Sequence, residues 1–195
     1  MGFRVRANSI RNSHFRSRTA DAGGAGFTLV ELTVAISVLV IALCATASTV
    51  VSTGALNRQS HETELARKAA ESMLDALRNA PFATVFARYN SAASDDPLGP
   101  GTAPGANFAV KGLTPIHGAP GGVAGRIFFP AAGPELRENV DEATLGMPRD
   151  LNGDGLLDGF DHASDYRVLP VRVRVSWTGP NGQRSVELQT LLSEI

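Results

Sequence analysis

Cysteine is nearly missing from this chain: Cys44 is the single thiol in 195 residues. That excludes an intrachain disulfide framework and a Cys-rich zinc site. Histidine is scarce as well, with four scattered residues and no close pair, so the sequence offers no histidine-based metal centre. Ser, His and Asp all occur, but no nucleophile motif of the G-x-S-x-G kind is present. His117 and His162 fall in loop-like sequence and read as surface residues rather than bases, so the chain reads as non-enzymatic. Positive charge is short in the body of the protein. Beyond residue 26 there are 13 basic and 18 acidic residues, which leaves no basic patch to hold nucleic acid. Hydrophobic residues at 43% and charged residues at 19% exclude both a disordered chain and one wholly embedded in lipid. The length allows one domain and little more.

The first 26 residues are polar and irregular, with Arg4, Arg6, Arg11, Arg16 and Arg18 against Asp21. The composition then changes abruptly. Between Phe27 and Thr53 the only charge is Glu31, and Leu32 to Val51 is a run of 20 uncharged, mostly apolar residues. As a helix rising about 1.5 Å per residue, that run spans roughly 30 Å, the hydrocarbon thickness of a bilayer. The arginines ahead of it hold the N-terminus on the cytoplasmic side. A cleaved secretory signal fits the same outline, because Ala45-Thr46-Ala47 is an A-x-A-like site. A lipoprotein signal fits less well, since bulky Leu43 precedes Cys44. Glu31 favours an anchor. A carboxylate in an apolar span is unfavourable, and an ordinary signal gains nothing from it. Thr28-Leu29-Val30-Glu31 also fits a helix capping box, a role compatible with a functional one.

Gly26-Phe27-Thr28-Leu29-Val30-Glu31-Leu32 resembles the N-terminal cleavage and methylation motif of type IV prepilins and type II secretion pseudopilins. A basic leader ends in Gly26, Phe27 follows, Glu31 comes fifth after the cut, and an unbroken apolar stretch comes next. The resemblance covers roughly the first 80 residues. It implies that a prepilin peptidase cuts between Gly26 and Phe27 and methylates the new Phe27 amine. It also implies that Glu31 of one subunit neutralises the Phe27 amine of its neighbour during assembly. Such a pair specifies register more reliably than it adds stability.

Helical character continues past Gly54. Leu65, Ala69, Met73 and Leu77 recur every four residues, with Ala66, Ala70 and Leu74 beside them, while Glu62, Glu64, Arg67, Lys68, Glu71, Asp75 and Arg78 take the other faces. Pro81 ends the run. The expected helix is about 53 residues, near 80 Å, with a transmembrane half at 27–53 and an amphipathic half at 54–80. Residues 81–195 form a β-rich head. Its stretch 91–125 holds 13 Gly or Pro in 35 positions and is expected to contain nothing longer than a short strand, with Asn107–Val110 and Gly125–Phe129 as candidates. Near the C-terminus Val171, Val173, Val175 and Trp177 alternate with Arg172, Arg174 and Ser176. Val186, Leu188, Thr190 and Leu192 alternate with Glu187, Gln189 and Leu191, and Gly179-Pro180-Asn181-Gly182 lies between. This predicts a β-hairpin whose apolar face covers the helix stripe, with Arg172 or Arg174 opposing Glu187 on an exposed face. The fold class expected is α+β and pilin-like: a long N-terminal helix packed on a small C-terminal antiparallel sheet. The hairpin with its single Trp is similar to minor pilins of the pilus-modification or minor-pseudopilin kind.

Asp150-Leu151-Asn152-Gly153-Asp154-Gly155-Leu156-Leu157-Asp158-Gly159-Phe160-Asp161 matches the twelve-position calcium loop of EF-hands and dockerins. Ca²⁺ takes six to eight oxygen ligands. The pattern assigns side-chain oxygens of Asp150, Asn152 and Asp154, the carbonyl of Leu156, Asp158 directly or through water, and Asp161 at the last position. Gly155 makes the sharp turn, and Leu157 is the apolar eighth residue. Pro148 and the strand near Tyr166 leave no room for a helix pair. A solvated acidic turn uses the same residues, but four converging carboxylates repel one another without a cation.

These readings give an inner-membrane protein with a cytoplasmic N-terminus and a periplasmic head. Its expected partners are a prepilin peptidase and other pilin or pseudopilin subunits, and its expected cofactor is a structural Ca²⁺. The alternative is a membrane-anchored, calcium-dependent binding module that never polymerises. Pilus, competence system and secretion pseudopilus share this front end, and the sequence does not choose among them.

Overall fold

A computed structural model describes residues 26–194; apart from Gly26, the Arg-rich leader expected at 1–26 lies outside the described residues. The first element, α1, runs Leu29–Asn79 over 51 residues. Thr28 opens it: its Oγ1 accepts from the Glu31 N–H at 3.2 Å, and its carbonyl accepts from the Leu32 N–H at 3.1 Å. This is the Thr28 half of the expected capping box. Along the apolar run the hydroxyls of Thr33, Ser37, Thr46, Ser52 and Thr53 donate back to carbonyls three or four residues earlier. Each polar side chain is thereby satisfied by its own helix, which lowers its cost in hydrocarbon. The helix passes through Gly54 unbroken.

The chain divides into two units, Met1–Ala47 and Ser48–Ile195. In the second, the buried stripe of α1 is Glu62, Ala66, Ala70, Leu74 and Leu77. It is rotated by about one residue from the Leu65–Ala69–Met73–Leu77 row, whose Leu65 and Met73 are half-buried at its flank. The small side chains of Ala66 and Ala70 sit at the centre and permit close approach. Glu62, expected on the polar side, is buried instead. Its Oε2 accepts from the Trp177 Nε1–H at 3.1 Å and its Oε1 from Arg58 Nε at 3.2 Å. Burial is allowed because both oxygens are bonded.

Pro81 interrupts the helix without ending helical structure. A second helix, α2, spans Phe82–Tyr89 and buries Val85, Phe86 and Tyr89. Phe86 meets Phe129 edge-on with ring centroids 5.5 Å apart, and Phe82 lies tilted against Tyr166 at 4.9 Å.

Six strands follow: β1 (Asn107–Phe108), β2 (Gly125–Phe128), β3 (Ala131–Ala132), β4 (Glu135–Leu136), β5 (Val168–Gly179) and β6 (Gly182–Ser193). The main sheet is antiparallel in the order β1-β2-β5-β6, and β3-β4 is a separate small ladder. The β5-β6 hairpin closes at Gly179↔Gly182 around Pro180-Asn181, with Gly182 at φ +111°. Val171, Val173, Val175 and Trp177 are all buried, as the alternation predicts. Arg174 stands opposite Glu187 and is ion-paired with it. The face expected to be open to solvent is partly covered. Arg172 is buried between Glu142 and Glu187, and the guanidinium carbons of Arg126, Arg172 and Arg174 lie 4.7–5.5 Å from the Phe128 ring centroid. An aromatic face carries these cations where a purely solvated row was expected. The architecture is therefore α+β, with a long N-terminal helix packed on a small antiparallel sheet.

Candidate assembly terminus and metal loop

At the N-terminal end, Gly26 and Phe27 precede α1 and Glu31 lies in its first turn. Nothing lies within 4 Å of where a Gly26 Cβ would stand, so the backbone at the expected cut is open to close approach. Phe27 is 82% exposed. The Glu31 carboxylate lies in the first turn of α1, beside the positive end of the helix dipole. Beyond it, Leu32, Val34, Ile36, Val38, Leu39, Val40, Ile41 and Leu43 are all more than half exposed. α1 is the one helix among the described residues long and apolar enough to cross a membrane, and its most apolar window is wholly unburied. It is a candidate single-pass anchor. A continuous apolar surface of this kind requires lipid or protein to cover it.

In the head, the 150–161 segment is a tightly wound loop. Asp150 accepts from the Gly153 N–H at 2.5 Å and, through its other oxygen, from the Gly155 N–H at 2.8 Å. Asn152 Oδ1 accepts from the Asp154 N–H at 3.0 Å and Asp154 Oδ1 from the Leu156 N–H at 2.8 Å. Gly153 and Gly155 both have φ +82°, a left-handed conformation that favours glycine, so the turn expected at Gly155 is present. The Gly155 and Gly153 amides hold the Asp150 carboxyl below its usual range. Leu151 is fully buried and anchors the loop, whereas Leu156, Leu157 and Phe160 are exposed.

Two of the expected ligand carboxylates also bond outside the 150–161 segment. Asp161 Oδ1 accepts from the Leu136 and Ala163 N–H groups at 2.9 and 3.0 Å, tying the end of the loop to β4. Asp158 Oδ1 accepts from the Phe160 N–H at 2.8 Å and faces His162 Nε2 at 3.1 Å. These contacts hold the Asp158 carboxyl low, the Phe160 amide contributing most. Among the described residues, one group of three metal-type ligand atoms lies within 4.8 Å of one another: Glu138, Asp158 and His162. Of the expected ligands Asp158 alone belongs to it; Asp150, Asp154 and Asp161 do not.

Glu138 and His162 are what sequence reasoning missed. Glu138 is 1% exposed, and the loop is wound around it: its Oε1 accepts from the Leu151 and Asn152 N–H groups at 2.6 and 3.3 Å, and its Oε2 from the Asp158 N–H at 3.4 Å. Nothing in its spacing marks it, since it lies twelve residues ahead of the loop. His162, expected on the surface, is 4% exposed. Its position four residues after Asp158 was the available signal. Its Nδ1 faces Asp165 Oδ1 at 3.1 Å and its Nε2 lies 3.8 Å from Glu138 Oε2. Burial opposes a charge on His162, but Asp158, Asp165 and Glu138 outweigh it and hold its pKa above the ordinary value. His117 is exposed, as expected.

Comparison of the chain with protein-family models, curated proteins and solved structures returns no match.

Proposed function

We propose that this chain is a structural subunit, a minor pilin or pseudopilin, held in the inner membrane by α1 and assembled into a type IV pilus or type II secretion pseudopilus. The observation that carries the proposal is Gly26-Phe27 standing exposed ahead of a helix whose first turn holds Glu31 and whose next twenty residues are uncharged. A prepilin peptidase cuts after Gly26 and methylates the Phe27 amine. The freed amine and Glu31 are each unfavourable at the membrane edge when alone. Paired between neighbouring subunits, they neutralise one another and set the axial offset. The exposed apolar surface of α1 then exchanges lipid for the helices of other copies.

The test is Glu31→Val in the native host, read as the fraction of subunit recovered in sheared filaments. A loss of at least tenfold is expected, with membrane level and N-terminal processing unchanged. Full incorporation of the variant, or a mature chain beginning elsewhere than Phe27, overturns the reading and leaves a membrane-anchored binding module.

The 150–161 loop supports a structural Ca²⁺ in the head. Its donor set is all oxygen: Asp150, Asn152, Asp154, Asp158 and Asp161 side chains and the Leu156 carbonyl. Gly155 is left-handed, the conformation that the sharp turn of such a loop requires. Bound there, Ca²⁺ would brace the segment leading into β5. Calorimetric titration of the purified chain with Ca²⁺ is expected to give one site that Asp154→Ala weakens at least tenfold. No heat from the unmutated chain ends the calcium assignment and leaves the filament reading standing.

A further inference from the structure

The buried group beneath the loop has a different chemistry from the loop itself. One ligand atom each from Glu138, Asp158 and His162 lies within 4.8 Å of the other two. Two ligands at about 2.0–2.1 Å from a tetrahedral metal lie roughly 3.4 Å apart. The three atoms therefore need only a small inward movement to share one ion. His162 Nε2 is already aimed between the two carboxylates, at 3.1 Å from Asp158 and 3.8 Å from Glu138. Its other nitrogen is 3.1 Å from Asp165 Oδ1, a carboxylate on the opposite side of the ring. An imidazole whose Nδ1–H donates to Asp165 presents its Nε2 lone pair to two more carboxylate oxygens. That contact needs positive charge between them, either a proton on Nε2 or a metal ion in the proton's place. A carboxylate behind the ring and a metal in front is the arrangement that fixes tautomer and orientation in histidine metal sites. Glu138 adds the second point. It is 1% exposed, and its Oε2 is held by nothing shorter than the 3.4 Å contact from the Asp158 N–H and the 3.8 Å approach of His162 Nε2, so an acceptor with capacity to spare is directed into the group.

We infer that Glu138, Asp158 and His162 form a binding site for a first-row transition dication of the zinc type, with Asp165 as the positioning residue for His162. A nitrogen donor beside two carboxylates suits zinc and its neighbours, whereas Ca²⁺ and Mg²⁺ prefer oxygen alone. The site is thus separate in kind from the all-oxygen loop but shares Asp158 with it, so the two ions compete for that side chain. Its structural effect is to clamp Glu138, the middle of the loop and the approach to β5 at one point. This inference goes beyond the filament reading and does not depend on it.

The experiment is a Co²⁺ titration of the metal-free full-length chain in detergent, followed by visible absorption and by displacement with Zn²⁺. One equivalent of Co²⁺ is expected to bind, with absorption bands of a low-coordinate, nitrogen-containing site that Zn²⁺ abolishes. His162→Gln is expected to weaken binding by at least about 100-fold. Asp165→Asn, a half-exposed position whose change leaves the core intact, is expected to weaken it by about 10–100-fold. Asp150→Asn is expected to leave it within about twofold. Absence of Co²⁺ and Zn²⁺ binding by the unmutated chain overturns the inference with no variant needed. So does binding that Asp165→Asn leaves unchanged, or that Asp150→Asn removes.

Discussion

Tyr166 joins two parts of the head that are far apart in sequence. Its hydroxyl donates to the Phe82 carbonyl and accepts from the Phe86 N–H at 3.4 Å, so one side chain holds the first turn of α2 against the approach to β5. Burial pushes its phenol pKa above 10.0, the amide of Phe86 offsetting part of the shift. The sign of the consequence follows. The folded state favours neutral Tyr166, so its contribution is complete below about pH 10 and fades as pH rises through the folded value. Tyr166→Phe removes the hydrogen bonds and is expected to cost about 1 kcal/mol at neutral pH. Thermal unfolding from pH 8 to 11 checks this: the native chain should lose stability more steeply than the variant at the alkaline end. Equal slopes would mean the phenol is not held by α2. Glu62 and Trp177 make a comparable link, and neither it nor Tyr166 was legible in the sequence. A glutamate on an amphipathic helix is ordinarily solvated, and Arg58 one turn back together with an indole N–H 115 positions away makes its burial tolerable.

Elements were legible where periodicity was long and obscure where it was short. The β5-β6 hairpin alternates over 171–177 and 186–192 within two twelve-residue strands, and the observed register places Arg174 against Glu187 as charge pairing requires. α1 is legible in extent, but its buried stripe is offset by a residue from the row of largest apolar side chains, because the small Ala66 and Ala70 occupy its centre. α2 is hidden in the sequence because Pro81, directly ahead of it, marks an end to the preceding helix. Its own spacing, with Phe82, Val85, Phe86 and Tyr89 on one side, carried the helical signal in eight residues. The edge of the sheet makes a sharper prediction. Gly125 pairs with Phe108, and a Cβ at Gly125 would stand only 2.3–2.5 Å from atoms of the Phe108 ring. Gly125→Ala therefore has to swing the ring off the strand, an overpacking cost of about 1–3 kcal/mol. In a Phe108→Ala background the same change is expected to be nearly silent. Denaturant unfolding of the four proteins of that cycle measures the coupling; a penalty that persists without the ring would refute the steric account.

At the scale of the whole molecule, the buried apolar residues run from Ala66 to Leu192 and all lie within the Ser48–Ile195 unit. The apolar surface from Leu29 to Val51 belongs to none of that core. A chain starting at Gly54 retains every buried residue and sheds that surface. It is expected to fold without detergent and to melt in one cooperative transition. A chain starting at Pro81 meets a different fate. It lacks Glu62, the acceptor for the buried Trp177, and loses Ala66, Ala70, Leu74 and Leu77 from the layer covering the sheet. Removing a single buried leucine costs about 2–5 kcal/mol. Two leucines and an orphaned indole donor together rival the roughly 5–15 kcal/mol that holds a domain of this size. The shorter chain is therefore expected to lose its near-ultraviolet circular dichroism, dominated by Trp177, and its cooperative melt. If instead it melts cooperatively with the same signal and midpoint as the longer one, the amphipathic half of α1 is an attachment to the head rather than part of its core.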